Sequence, residues 1–239
     1  MTQSATPAVL IEDLRFAYAR KSPPVLDIAQ FRVDPGERVF LRGASGSGKS
    51  TLLGVIAGIL DVSHGRVEAL GTDMAHADAA TRDQTRAERL GVIFQMFNLL
   101  PYLPVGENVM LPCRFSAGRA RATKVNGGPA ADARRLLSRL ELDPAEYWNA
   151  ASRSLSVGQQ QRVAAARALI GQPSLILADE PTSALDTDRR DRFIALLLEE
   201  CASSGAALLF VSHDGGLAPH FDRALDLSEI NRAGTGETA

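Results

Sequence analysis

The chain has 239 residues, enough for one sizeable α/β core without a second domain. With 45% hydrophobic and 23% charged residues and a formal net charge of −2, it has the make-up of a soluble globular protein and no overall basic field for nucleic acid. No run approaches the ~18 uninterrupted apolar residues of a membrane span, and Cys113 and Cys201 lie outside any metal-ligand spacing, reading as reduced, packed thiols of a cytosolic protein.

Met1 to Pro7 lacks the charged start and apolar centre of a secretory leader. Extended segments are expected from Val9 to Tyr18 and from Ile28 to Val33, the second with Ala29, Phe31 and Val33 alternating onto one face. At Tyr18 the ring could stack on a purine or pack as an ordinary core tyrosine. Asp34-Pro35-Gly36-Glu37 is a turn signature that feeds a strand over Glu37 to Leu41. Next comes Gly43-Ala44-Ser45-Gly46-Ser47-Gly48-Lys49-Ser50-Thr51, a fit to G-x-x-x-x-G-K-[ST], and then a helix-like apolar run from Leu52 to Leu60. In that strand–loop–helix setting the small residues let backbone N–H groups curl around a polyphosphate, and the helix N-terminus adds partial positive charge. Lys49 supplies a point charge for the β/γ-phosphates, and the Ser50 hydroxyl can reach Mg²⁺.

Ser63 to Gly71 reads as a short strand, so antiparallel strands are expected to flank a parallel core. Another strand, Arg89 to Phe94, ends at Gln95. Residues 96–154 change character to a mainly helical insertion, with a helix opened by Pro129 whose Ala130, Ala133, Leu136, Leu137 and Leu140 share a face. Arg119 to Lys124 reads as solvated surface. Leu155-Ser156-Val157-Gly158-Gln159 precedes a helix from Gln160 to Ile170; Ser156 and Gly158 there are either an anion site or an ordinary helix cap.

The buried strand Ser174 to Ala178 ends in Asp179-Glu180, where α/β sheets present their ligands. Asp179 can join a Mg²⁺ shell, and Glu180 can polarise a water toward a γ-phosphate. Ser183-Ala184-Leu185-Asp186 leads into an amphipathic helix, Asp188 to Cys201, with Phe193, Leu196, Leu197 and Cys201 inward. A further strand, Ala206 to Val211, ends at Ser212-His213-Asp214. Thus Gln95, Asp179, Glu180 and His213 all follow predicted strands, and a parallel sheet would gather them on one edge beside the phosphate loop. Ala218 to Ile230 is a short closing element, and Asn231 to Ala239 is expected to fray.

Taken in order, the phosphate loop, Gln95, Leu155 to Gln159, Leu175 to Glu180, Ser183 to Asp186 and His213 resemble the ATP-binding cassette (ABC) ATPases over nearly the whole chain. The resemblance implies a P-loop NTPase (RecA-like) α/β core with an antiparallel β subdomain and a helical insertion. One ATPase domain would span 1–239, with core segments 8–95 and 155–230 and a helical subdomain at 96–154. It also implies a head-to-tail homodimer that clamps two ATP with Mg²⁺. Ser156, Gly158 and Gln159 of one copy would cap the γ-phosphate held by the other copy's loop. Tyr18 would stack on adenine, Ser50, Gln95 and Asp179 would hold Mg²⁺, and Glu180 would act on the attacking water. His213 would sense the γ-phosphate, and Asp186 would communicate between the sites. Val157 departs from the family's usual glycine, which puts the local loop geometry in question.

Phe94-Gln95-Met96-Phe97-Asn98-Leu99-Leu100-Pro101 and Glu107 to Pro112 resemble the branch that serves lipoprotein release, macrolide-type export and FtsX-like permeases. This implies an FtsE-like ATPase subunit on the cytoplasmic face of the cell membrane, held there by an FtsX/MacB-like permease. The apolar side chains of Met96, Phe97, Leu99 and Leu100 suit a groove for a permease helix, and a plain hydrophobic core explains them equally well. An importer subunit and a soluble cassette ATPase acting on DNA or ribosomes are the alternatives. The second is disfavoured by the acidic balance and the lack of coiled coils, and no nucleic-acid partner is expected.

Overall fold

The computed structural model describes residues 6–182 and 185–233. In chain order the elements are β1 (Val9–Phe16), β2 (Leu26–Val33), β3 (Arg38–Arg42), α1 (Lys49–Ile56), β4 (Arg66–Ala69), β5 (Thr72–Asp73), α2 (Ala79–Arg89) and β6 (Leu90–Ile93). There follow α3 (Val105–Phe115), α4 (Ala117–Ala122), α5 (Pro129–Arg139), α6 (Pro144–Tyr147), α7 (Val157–Leu169) and β7 (Leu175–Asp179). The chain closes with α8 (Thr187–Ser204), β8 (Ala207–Ser212), β9 (Arg223–Asp226) and α9 (Leu227–Ile230). It divides into two compact units, Met1–Thr85 with Ala207–Ala239, and Arg86–Ala206.

In the first unit β2, β1, β4 and β5 form an antiparallel sheet, as expected. The β1–β2 register is constant from Val9↔Val33 to Phe16↔Leu26, yet the buried parity flips midway. Val9 and Ile11 are buried at one end, Leu14 and Phe16 at the other, and Ala29 of β2 is exposed while Ile28 and Leu26 are buried. The flip sits at Asp13, whose φ of 49° is left-handed. The expectation that Ala29 shares the face of Phe31 and Val33 therefore fails: uniform alternation ignores a single residue of opposite twist. Gly65 packs directly on this point. At φ 94° it is left-handed, and an added Cβ would lie 2.4 Å from the Asp13 carbonyl oxygen.

The parallel part of the same unit has β3 between β8 and β9. Its core is aromatic, with Phe40, Phe210 and Phe221 in mutual contact at centroid distances of 5.1–6.1 Å. The closing element expected after residue 218 thus contains a strand of this sheet. α1 is shorter than its apolar run: it ends at Ile56, and the chain turns through Gly58 at φ 63°.

In the second unit β6 and β7 pair in parallel, Leu90↔Leu175 to Ile93↔Ala178. α7 packs against β6, α3, α5 and α8, and its run of buried Val163 to Ala166 is small enough for close approach. α5 starts at Pro129 as expected and buries Ala133, Leu136 and Leu137. Ala130 does not join them and is exposed, because it lies in the first turn where α5 leaves the core. The stretch Arg119 to Lys124 is likewise not a solvated surface throughout. Arg119 is 3% exposed and donates from an Nη to the Ala168 carbonyl oxygen at 3.0 Å, and burial pulls its pKa down to about 10. A buried arginine in a charge run carries no local mark in the sequence. Cys113 and Cys201 are both free thiols.

Gly65→Ala combines a left-handed backbone with a clash against immovable main chain, so it should lower stability by about 2–4 kcal/mol. Urea unfolding followed by circular dichroism measures this, and a loss below about 0.5 kcal/mol would contradict the packing of Gly65 on Asp13.

Candidate functional site

β3 ends at Arg42, in register with Ser212 of β8 on one side and Asp226 of β9 on the other. Parallel strands in register deliver their following residues to the same edge, so Gly43, His213 and Leu227 emerge together. They line a cleft of about 480 Å³ together with Arg42, Ala44 and Ser47. The loop Gly43 to Thr51 turns from β3 into α1. Gly48 caps the helix at φ 103°, and a Cβ there would press on Leu26 and Val25 at 3.1–3.3 Å, so the sequence has no other residue to offer at this point. Lys49 is 7% exposed, and its ammonium donates to the carbonyl oxygens of Gly43 and Ala44, each at 2.8 Å. Gly46 is left-handed at φ 78°, and Ser45 and Ser50 are exposed. The Ser47 hydroxyl is buried without a hydrogen-bond partner among the described residues, an acceptor and donor held ready at the cleft wall.

Tyr18 is 66% exposed, which removes the core-tyrosine reading. Its hydroxyl lies 2.9 Å from Thr51 Oγ1, and its ring meets Phe16 edge-on at 5.2 Å, so an open aromatic face stands beside the start of α1. Asp226 was not singled out from the sequence. Hydrogen bonds from the Ser228 hydroxyl and amide hold its carboxyl below the usual carboxylate range, with Arg42 and Lys49 adding to the effect. The rule that found His213, a polar residue at the end of an apolar strand, would have found Asp226 had β9 been recognised.

In the second unit, Gln95 follows β6 and is exposed, while Asp179 ends β7 and Glu180 comes next, 9% and 7% exposed. The Ile93↔Ala178 pair puts Gln95 and Asp179-Glu180 past the same end of two neighbouring strands. Glu180 has a φ of 47°, an arrangement that costs about 1–2 kcal/mol and is typically kept where function needs it. Among the described residues there is no cluster of three or more His, Cys, Asp or Glu suited to a metal. The Asp179 carboxylate and the Gln95 amide, past the same end of neighbouring strands, are oxygen donors of the kind Mg²⁺ accepts alongside phosphate oxygens.

Ser156 caps α7 in a complete capping box: its hydroxyl accepts from Gln159 N at 3.3 Å, and Gln159 Oε1 accepts from Ser156 N at 2.8 Å. Gln159 also donates from Nε2 to the Tyr147 hydroxyl at 3.0 Å. Helix α7 therefore begins three residues earlier than its expected start at Gln160. Val157 is its first residue, exposed, and is absent from the positive-φ set, so no glycine is needed there and the turn keeps its shape. Ser156, Gly158 and Gln159 line a second cleft, of about 560 Å³, which also contains Arg162 and Arg189, the first ion-paired with Glu141 of the same cleft at 3.7 Å and the second with Asp186 at 3.4 Å. Asp186 caps α8, accepting from Arg189 N at 3.0 Å. Ser183 and Ala184 lie outside the described residues.

A glycine-rich loop running from a parallel strand into a helix that opens with Lys49, with acidic and amide side chains following other parallel strands, defines a P-loop nucleotide-binding protein of mixed α/β architecture. The chain belongs to the ABC transporter family, whose model matches residues 26–183, and it is an ATP-binding, ATP-hydrolysing subunit of that family. It is 42% identical over 226 residues to the lipoprotein-releasing system ATP-binding protein LolD of Anaeromyxobacter dehalogenans, covering 93% of this chain and 91% of that protein. It is 40% identical over 204 residues to the uncharacterized ABC transporter ATP-binding protein YbbA of Escherichia coli, 85% of this chain and 86% of that one. Against the macrolide export ATP-binding/permease protein MacB of Shigella flexneri the identity is 37% over 94% of this chain, which spans 34% of that protein. Among solved structures, the post-hydrolysis dimer of the ATP-binding cassette MJ0796 bound to ADP and Pi superposes with a TM-score of 0.80 at 31% identity, covering 91% of this chain and 93% of that one.

Removing the ammonium that ties the loop should cost ATP affinity directly. Lys49→Ala is expected to weaken binding of a fluorescent ATP analogue by about 10- to 150-fold, since a charge-assisted hydrogen bond is worth about 1.5–3 kcal/mol. Parental affinity in a titration of that variant would contradict the assignment of the loop.

Proposed function

We propose that this chain powers a separate integral-membrane permease of the FtsX/MacB-like kind, hydrolysing Mg²⁺-ATP between two copies arranged head to tail. The observation that carries this reading is the presence of two anion-receptive helix starts, α1 at Lys49 and α7 at Val157. Each opens on a cleft, and the second has Arg162 and Arg189 beside it. Head-to-tail pairing gives each nucleotide one start of each kind. The likeness to the MJ0796 cassette, solved as a dimer with ADP and Pi, supports the pairing. The name of MacB, an ATP-binding/permease protein, supports a permease partner.

In this mechanism the backbone N–H groups of residues 46–51 and the Lys49 ammonium gather the β- and γ-phosphates, while Tyr18 offers its open ring to the adenine. The Ser50 hydroxyl, the Gln95 amide oxygen and the Asp179 carboxylate would hold Mg²⁺, which would supply Lewis acidity at the phosphates. Glu180 accepts a proton from the attacking water, and His213 donates a hydrogen bond to the γ-phosphate. Ser156, Gly158 and Gln159 of the second copy cap that phosphate from the opposite side, and Asp186 links the two sites. Charge drives closure: the second set of donors is recruited while the γ-phosphate is present, and its loss removes the reason to stay closed.

No helix among the described residues is long and apolar enough to cross a membrane, so the permease would have to hold the subunit at the inner face of the cell membrane. Of the four side chains expected to form a permease groove only Met96 is open, at 81%, since Phe97 is buried and Leu99 and Leu100 are half-buried; Met96 and the 76% exposed Tyr102 on the same loop are the surface that would receive it.

Glu180→Gln keeps the shape of the acid and loses the base. Phosphate release is expected to fall by about 100-fold or more, and gel filtration in Mg²⁺-ATP should show a species of twice the monomer mass. Undiminished turnover would take Glu180 out of the role.

A further inference from the structure

The loop between Gln95 and α3 is held at both ends by side chains that the mechanism above leaves unused. Directly after Gln95 and Met96, Phe97 and Asn98 are both left-handed, at φ 58° and 49°. Asn98 N donates to the Met96 carbonyl oxygen at 2.6 Å across Phe97, a γ-turn of the strained, positive-φ kind. Two successive L-residues in this conformation do not persist unless something outside the turn holds them. That holder is Arg167 of α7. One Nη donates to the Asn98 carbonyl oxygen at 2.7 Å and the other to the Phe97 carbonyl oxygen at 2.5 Å. Arg167 has no ion-pair partner among the described residues, and burial lowers its pKa.

The far end of the loop is pinned just as firmly. Asn108, fully buried, accepts from Leu100 N at 2.8 Å and donates to the carbonyl oxygens of Leu100 and Leu103 at 3.0 Å. Ser152 Oγ adds a bond to the Leu100 carbonyl oxygen at 2.9 Å.

We propose that Arg167 is a positioning residue of the ATPase reaction: by clamping the left-handed pair 97–98 to α7, it fixes the place from which Gln95 is presented. This rests on the role proposed above for Gln95. The same helix carries the Ser156 cap at its other end, eleven residues or about 16 Å from Arg167. The loop that bears Gln95 and the helix that bears Ser156 are thereby one mechanical piece. Arginine meets the two carbonyls with two separate nitrogens held at a fixed spacing by one planar fork, whereas lysine would have to bring a single nitrogen on a flexible stem to both.

Arg167→Lys keeps the charge and loses the fork. In the purified full chain with Mg²⁺ and ATP, kcat for phosphate release should fall about tenfold while KM for ATP stays within about twofold, with unchanged far-UV circular dichroism. Amide hydrogen exchange over residues 96–100 should rise in the same variant. Asn98 is exposed, so Asn98→Gly relieves its share of the left-handed strain without removing packing, Phe97 keeping its own. Added to Arg167→Lys, it should return about half of the lost kcat or more. The inference is overturned if Arg167→Lys turns over at the parental rate, or if kcat falls with general loss of helicity and Asn98→Gly restores nothing. Gln95→Ala, measured alongside, separates the two claims. Parental turnover in that variant defeats the role of Gln95 itself, whereas a slow Gln95→Ala beside a normal Arg167→Lys defeats the clamp alone.

Discussion

A polyphosphate has to be met by positive donors already in place, and on the proposed reading that requirement falls on two helix starts. Each leaves backbone N–H groups without intrahelical partners, and each is fixed by local chemistry. At α1 the fixing groups are Gly48 at φ 103° and the Lys49 ammonium bridging the carbonyls of Gly43 and Ala44. At α7 they are the reciprocal hydrogen bonds of Ser156 and Gln159. Neither arrangement depends on distant packing for its shape, so both are preorganised before any ligand arrives. Strands β8, β3 and β9 then set what stands beside the first of them, because parallel register carries Gly43, His213 and Leu227 to a common edge.

Much of this was legible in the sequence, and the reason is locality. The phosphate loop is a run of nine residues whose glycines and lysine act on one another. Asp179, Glu180 and His213 follow apolar runs that can only be buried strands. Missed features were those that depend on a partner far along the chain. Arg119 looked solvated within its own charge run and proved buried against the carbonyl of Ala168. Asp226 was passed over because β9 is four residues long, too short to show a period. Ala29 went astray because a single left-handed residue, Asp13 on the neighbouring strand, reverses the facing of both strands. The signature turn is open to two readings, helix cap or anion site: the structure shows a complete cap, with the Gln159 amide taken by Ser156, beside a cleft that holds Arg162 and Arg189 together with Glu141.

Left-handed backbone recurs at the functional end of the molecule. Glu180, Phe97 and Asn98 all carry positive φ without being glycine. On the proposed reading, each either is a side chain that the chemistry uses or lies in the turn directly after one. Such positions persist only where surrounding contacts over-determine them. The bonds of Arg167 and Asn108 to the loop after Gln95 are contacts of that kind, and they make the segment a stiff connection between β6 and the helices of its unit.

The central claim is that one copy supplies only half of the donors for each γ-phosphate and that a second copy supplies the rest. The initial rate of phosphate release, measured against chain concentration at saturating Mg²⁺-ATP, tests it most directly. The account predicts a rate that grows with the square of concentration while monomer predominates and becomes proportional to concentration once pairing is complete. A rate strictly proportional to concentration down to a range where sedimentation finds only single chains would contradict it.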